Sequence, residues 1–198
     1  MKIAIIGAGN MGGSIARGLA KGTIIPASDI IVSNPTQNKL DKLKAEFPAL
    51  QVTNYNQEAV TGADMIIFAV KPWLMKLVVK ELKLRGTQIL ISVAAGIPFE
   101  ELTHYAADKE MTMFRLIPNT AISEMESMTL IASRNATKEQ EQLMLDIFNQ
   151  MGLAMLIPEE KIAATTAMTS CGIAYVLKYI QAAMQAGIRS EEHTSELQ

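Results

Sequence analysis

Gly7-Ala8-Gly9-Asn10-Met11-Gly12 is the segment of this sequence whose residue types and spacing most directly imply chemistry. It has the form G-x-G-x-x-G, and it joins a short apolar run at residues 2–7 (KIAIIG) to a stretch where Met11, Ile15 and Leu19 recur at helical spacing. A glycine turn leading from a strand into a helix offers backbone amides and the positive end of a helix dipole to phosphate groups. Gly7 would allow the tight turn, Gly9 the approach of a pyrophosphate to the backbone, and Gly12 close packing of helix on strand. The same pattern also occurs as a packing turn alone. Its place after the first strand of the chain favours dinucleotide binding.

The end of the second strand bears on which dinucleotide. Sites for NAD usually carry an Asp or Glu there to accept from the ribose 2′-hydroxyl. Here residues 32–36 read VSNPT, and the nearby acid, Asp29, lies at the opposite end of the strand. An uncharged loop bearing hydroxyls and an amide, with Lys39 and Lys42 close in sequence, suits a 2′-phosphate and favours NADP, with NADPH preferred and NADH possible. The alternative is that residues 33–36 are turn formers only. Other chemistries find little material. Cys171 is the one cysteine, and the two histidines, His104 and His193, are far apart, so neither a metal cluster nor an intrachain disulfide is expected.

The elements that would position these residues are readable from periodicity. Strands are expected at residues 2–7, 29–33, 51–53, 65–69, 88–93, 111–116, 128–132 and 153–156. Helices are expected after Gly9, around Leu40, Leu43 and Phe47, and at residues 72–82, 99–105 and 138–151. Thr137 and Gln140 have the spacing of a capping box for the last of these. Strands alternating with helices predict an α/β fold of the Rossmann type, with a doubly wound, mostly parallel sheet. Residues 1–158 would form that domain. Residues 162–188, rich in Ala, Met and Thr, predict a long buried helix, and residues 159–188 would begin an all-helical dimerisation or substrate domain or a subunit interface. Residues 189–198 (RSEEHTSELQ) turn abruptly polar and are expected to be a non-native or disordered tail.

Composition sets broad bounds. The 198 residues are 49% hydrophobic and 19% charged, with a net charge of −2, so no general basic field would draw nucleic acid or an anionic membrane. Apolar runs are too short to span a bilayer, and the N-terminus shows no cleavage pattern. A cytoplasmic protein without nucleic-acid or membrane partners is expected. Methionine clusters at residues 111–113 and 125–128 are read as core filling.

Several segments taken together resemble the pyrroline-5-carboxylate reductase family: GAGNMG at residues 7–12, FAVKP at 68–72, ISVAAGI at 91–97, RLIPNTA at 115–121 and TSCGIAY at 169–175. The resemblance covers residues 1–188. It implies an oxidoreductase that uses NAD(P)H to reduce the C=N bond of 1-pyrroline-5-carboxylate to L-proline, the last step of proline biosynthesis. It further implies that Ile6, Gly7, Ala8, Gly9, Asn10 and Met11, with Gly12 closing the turn, hold the pyrophosphate. Asn34 and Asn56 would face the adenosine half. Ala69, Val70, Lys71 and Pro72, with Ala94, Ala95 and Gly96, would border the ribose and nicotinamide. Lys71 alone would otherwise read as a solvated lysine. Asn119 and Thr120 are either a turn or part of the pocket. Cys171 and Gly172 fall where the family contacts substrate, although Cys171 itself is read as a small buried residue replacing serine.

The family's pattern at that last segment is richer in glycine and serine than Thr169-Ser170-Cys171-Gly172-Ile173-Ala174. Its later helical region, which grips the substrate carboxylate, would follow the last residue of this sequence. The resemblance therefore implies an incomplete copy, a homodimer or higher oligomer with residues 163–186 at the interface, and no identifiable proton donor. Two other readings stay open. β-Hydroxyacid dehydrogenases carry a lysine four residues after the corresponding glycine, whereas Val176 stands there and Lys178 lies on another face. A catalytically inactive NADP-binding or sensing module would keep the turn and lack turnover.

Overall fold

The computed structural model describes the backbone of residues 1–195 and side chains through residue 189. Its first half alternates β1 (Ile3–Ile6), α1 (Asn10–Lys21), β2 (Ile30–Ser33), α2 (Gln37–Glu46), β3 (Gln51–Thr53), α3 (Asn56–Val60), β4 (Met65–Phe68), α4 (Pro72–Lys80) and β5 (Ile89–Ser92). There follow α5 (Phe99–Ala106), β6 (Met113–Ile117), β7 (Ser127–Arg134), α6 (Lys138–Asn149), β8 (Gly152–Leu156), α7 (Ile162–Thr169) and α8 (Gly172–Ser195). The strands form one eight-stranded sheet in the order β3-β2-β1-β4-β5-β6-β7-β8.

Strands β1 to β6 run parallel, as their crossover helices require. β7 reverses and pairs antiparallel with β6, while β8 is parallel to β7. The cause is local. The connection from β6 to β7 holds only a 3-10 turn, Thr120–Glu124, and a parallel return would need a longer crossover.

Alternation along each strand feeds two separate cores. In β1, Ile3 and Ile5 join Ile15, Leu19, Leu40, Leu43 and Phe148 on one face of the sheet. Ala4 and Ile6 join Val60, Met75, Val79, Phe99 and Leu102 on the other. A strand buried on both sides must be apolar throughout, which is why residues 2–7 read as a continuous run. Each buried Leu, Ile or Phe contributes roughly 1.5–3 kcal/mol of transfer free energy. The capping box before α6 is present: the Thr137 side chain accepts from the Gln140 amide, and the Gln140 side chain accepts from the Thr137 amide at 2.9 Å.

The helical region departs from the expectation of one long buried helix. It is broken between Thr169 and Gly172, where the amides of Ser170 and Cys171 both donate to the Thr166 carbonyl at 3.0 and 3.1 Å. Hydroxyls of Thr165, Thr166 and Thr169 bond back to carbonyls one turn earlier, a competition that weakens a helix. Ile162 is buried, but along α8 the side chains of Tyr175, Val176, Leu177, Tyr179, Ile180 and Met184 are exposed. Among the described residues no layer faces this helix, so the apolar side chains named here stay uncovered. The helical backbone continues through Ser195, past the expected start of the tail at residue 189, and residues 196–198 lie outside the described residues.

Candidate cofactor-binding site

The strand order reverses at β1, with β2 and β3 to one side and β4 to the other. A crevice opens beyond the carboxyl ends of β1 and β4, the position where open α/β sheets take ligands. The cleft there has a volume of about 630 Å³. Its walls include Ile6, Gly7, Gly9, Asn10 and Met11 from the first turn, Asn34, Pro35 and Lys39 after β2, and Asn56. They also include Ala69, Val70, Lys71 and Pro72 after β4, with Val93, Ala94 and Ala95 after β5 and Thr120 after β6.

The three glycines of the turn face different surroundings. Gly7 has φ +106, and a Cβ there would meet the Ala69 carbonyl oxygen at 2.7 Å. A Cβ on Gly12 would lie 1.9 Å from the Gly7 carbonyl oxygen and 2.9 Å from the Ala69 Cβ. A Cβ on Gly9 would meet nothing within 4 Å. Gly7 and Gly12 are therefore demanded by the protein's own packing. Gly9 is demanded by nothing in the chain, which is what a backbone surface reserved for a ligand requires. Gly9 also caps α1 without a side-chain hydrogen bond, so the first-turn amides have no acceptor of their own. Open space and orphan donors fit a pyrophosphate.

The loop after β2 is bound to this turn. The Ala8 amide donates to Asn34 Oδ1 at 3.0 Å, Asn34 Nδ2 donates to the Thr36 carbonyl at 3.2 Å, and Asn54 Nδ2 donates to the Asn34 carbonyl at 3.0 Å. Ser33 Oγ donates to Asn56 Oδ1 at 2.6 Å. Asn34 is 6% exposed, so its side chain chiefly braces the wall that it lines. Ala8 is likewise buried and opens onto an adjoining recess formed by Gly13, Ser14, Arg17, Lys39, Lys42, Thr120 and Ser123. On the opposite wall Pro72 opens α4, and the Lys71 ammonium sits 5.9 Å from the centre of the Trp73 ring.

The two linings contain Arg17, Lys39, Lys42 and Lys71 and no carboxylate. Arg17 is held by Glu46 at 2.7 Å. No cluster of metal-ligating side chains exists among the described residues.

The residues expected to meet substrate are only partly gathered. Thr120 lines both recesses. Asn119 is buried and spent on structure: its side chain accepts from the Ala121 amide at 3.0 Å, and its Nδ2 lies 3.5 Å from the Thr169 carbonyl. Gly96 (φ +77), Cys171 and Gly172 stand outside both linings. Cys171 is exposed, contrary to the expectation of a small buried residue, because it falls at the break between α7 and α8 where no other element covers it. Leu74 and Val78 of α4 line the cleft and were not expected; their helical spacing after Pro72 is the signal that marks them.

Residues 2–96 match the family described as NADP oxidoreductase, coenzyme F420-dependent. Over 94% of its length the chain is 35% identical to pyrroline-5-carboxylate reductase of Pseudomonas aeruginosa, and it covers 68% of that protein. The chain belongs to the pyrroline-5-carboxylate reductase family. Pyrroline-5-carboxylate reductase 1 of Dictyostelium discoideum is 29% identical over 98% of the chain, which spans 37% of that longer protein's length. The crystal structure of Plasmodium falciparum pyrroline carboxylate reductase with NADP bound superposes with a TM-score of 0.86 at 26% identity, covering 96% of this chain and 70% of that one.

The sheet and the helical region are joined by a pair that sequence reasoning passed over. Arg115, within the RLIPNTA segment, is 8% exposed, and its Nη1 donates to Glu159 Oε1 at 2.6 Å. The same oxygen accepts from the Phe99 amide at 2.8 Å. The Arg115 guanidinium lies 5.9 Å from the centre of the Phe99 ring. An arginine inside an apolar strand signals such a partner, because a buried charge must be paired. Arg115 of β6 thus ties down the turn that precedes α7, and Asn119, just past β6, lies against the last residue of α7.

Proposed function

We propose that this chain carries the NADP-binding part of a pyrroline-5-carboxylate reductase, an enzyme reducing 1-pyrroline-5-carboxylate to L-proline. The observation that carries this reading is the cleft at the β1/β4 switch point, with Gly9 open to a ligand and cations but no acid in its walls. A dinucleotide bearing a 2′-phosphate fits such a lining better than one whose 2′-hydroxyl needs a carboxylate acceptor. When bound, the reduced nicotinamide supplies the hydride for the C=N bond. The protein's own residues bind and orient. First-turn amides of α1 take the pyrophosphate, Ala69, Val70 and Pro72 wall the ribose and ring, and Val93, Ala94, Leu74 and Val78 exclude water from the apolar side.

We also take the protein to be cytoplasmic and a homo-oligomer. No helix among the described residues is long and apolar enough to cross a membrane, and the exposed apolar side chains of α8 suit an interface. The test is NADPH oxidation with 1-pyrroline-5-carboxylate, run on this chain and on a longer version extended to the relatives' length. Turnover by the longer version, with NADPH binding by both, is the expected result. A longer version that binds NADPH and leaves the substrate unreduced overturns the reading in favour of a sensing role.

A further inference from the structure

We infer that Lys39 is the residue that selects NADPH over NADH in this protein, an inference resting on the NADP-binding role proposed above. Three observations converge on it. First, the two buried polar side chains at the end of β2, Ser33 and Asn34, are engaged within the protein. Ser33 Oγ donates its proton to Asn56, and Asn34 uses its oxygen on the Ala8 amide and its nitrogen on the Thr36 carbonyl. Secondly, Arg17, the arginine of the adjoining recess, is already paired with Glu46 at 2.7 Å. Thirdly, Lys39 lines both the main cleft and that recess, whereas Lys42 lines the recess only and Lys71 lies beyond β4 on the opposite wall.

Lys39 projects from the first turn of α2, and its backbone amide closes that turn onto the Thr36 carbonyl at 3.2 Å. The backbone is therefore held while the side chain is exposed at the junction of the two recesses. Among the described residues no ion pair engages its ammonium, so a phosphate would not have to displace a carboxylate. A lysine is a flexible point charge, suited to reach a phosphate that its backbone does not touch. Lys42, one turn along the same helix, adds to the local potential from within the recess.

The test separates this inference from the reading beneath it by using ligands that need no catalysis. Isothermal titration of the chain with 2′,5′-ADP, 5′-AMP, NADPH and NADH would be compared for wild type, Lys39→Ala, Lys39→Arg and Lys42→Ala. Lys39→Ala is expected to weaken 2′,5′-ADP and NADPH about tenfold while leaving 5′-AMP and NADH within about twofold, as for the loss of a charge-assisted hydrogen bond. Lys39→Arg should restore the preference, and the preference should fall as salt is raised. If Lys39→Ala weakens all four ligands equally, or none, Lys39 does not read the phosphate and the inference is overturned while NADP binding stands. If wild type binds neither 2′,5′-ADP nor NADPH, the inference and the NADP-binding reading fall together.

Discussion

The turn from β1 into α1 and the helix α8 are both built of small and apolar residues, yet the chain treats them in opposite ways. Around the glycine turn the packing is answered from within, Gly9 excepted: Gly7 and Gly12 are pressed against neighbouring backbone, and the strand behind them is buried on both faces. Along α8 almost nothing is answered, with Tyr179 75% and Met184 64% exposed. The first region owes its form to contacts made inside one chain. The second has an apolar surface that no described residue covers, which is what motivates the interface proposed for it. A buried residue and an exposed one of the same type therefore do not carry the same information about the monomer's stability.

The sharpest way to break that comparison lies in the turn itself. Gly12→Val should cost at least about 3 kcal/mol, since a clash with backbone cannot be relieved by choosing another rotamer. Thermal unfolding would show the loss. Gly9→Ala is its counterpart: the melting temperature should hold, because a Cβ there is unopposed, while NADPH affinity falls at least about tenfold through loss of close approach. Equal destabilisation by the two would mean that Gly9 also serves packing.

A middle-sized effect is expected between the two regions, where β6 holds the turn that leads into the helical segment. Glu159→Gln removes the charge facing buried Arg115 but keeps an acceptor for the Phe99 amide. Because Glu159 is 35% exposed, the cost should be about 2 kcal/mol, below that of breaking a fully buried pair, or roughly 6 °C in Tm. An unchanged Tm would show that α7 is held by its apolar contacts alone. The smallest effect belongs to α8. Leu177→Ala should shift the stability of this chain by no more than about 0.5 kcal/mol. A drop as large as that of a core leucine would show that α8 is covered in solution, and sedimentation velocity would then report an oligomer.

Much of the sheet region was legible from local signals. Continuous apolar runs marked strands buried on both faces, Thr137 and Gln140 announced their capping box, and the G-x-G-x-x-G spacing located the turn. These features depend on period and on nearest neighbours, which a sequence displays directly. Missed features depend on what is absent or distant. The reversal of β7 follows from a connection too short for a crossover, and the break before α8 from threonine hydroxyls that bond back to the helix. The exposure of Cys171 follows from the lack of any element over that break. The Arg115–Glu159 pair spans 44 positions, and only the partner's location reveals its purpose.

By itself the sequence determined the α/β alternation, the glycine turn and the segments that resemble this reductase family, because each is written in contiguous residues. Only the tertiary structure decided which of those residues are free for a ligand. Whether Asn34 binds or braces, and whether Lys39 or Arg17 keeps its charge available, depends on partners brought from remote parts of the chain. Hydrogen bonds and ion pairs form between groups that are close in space, and closeness in space is settled by the fold.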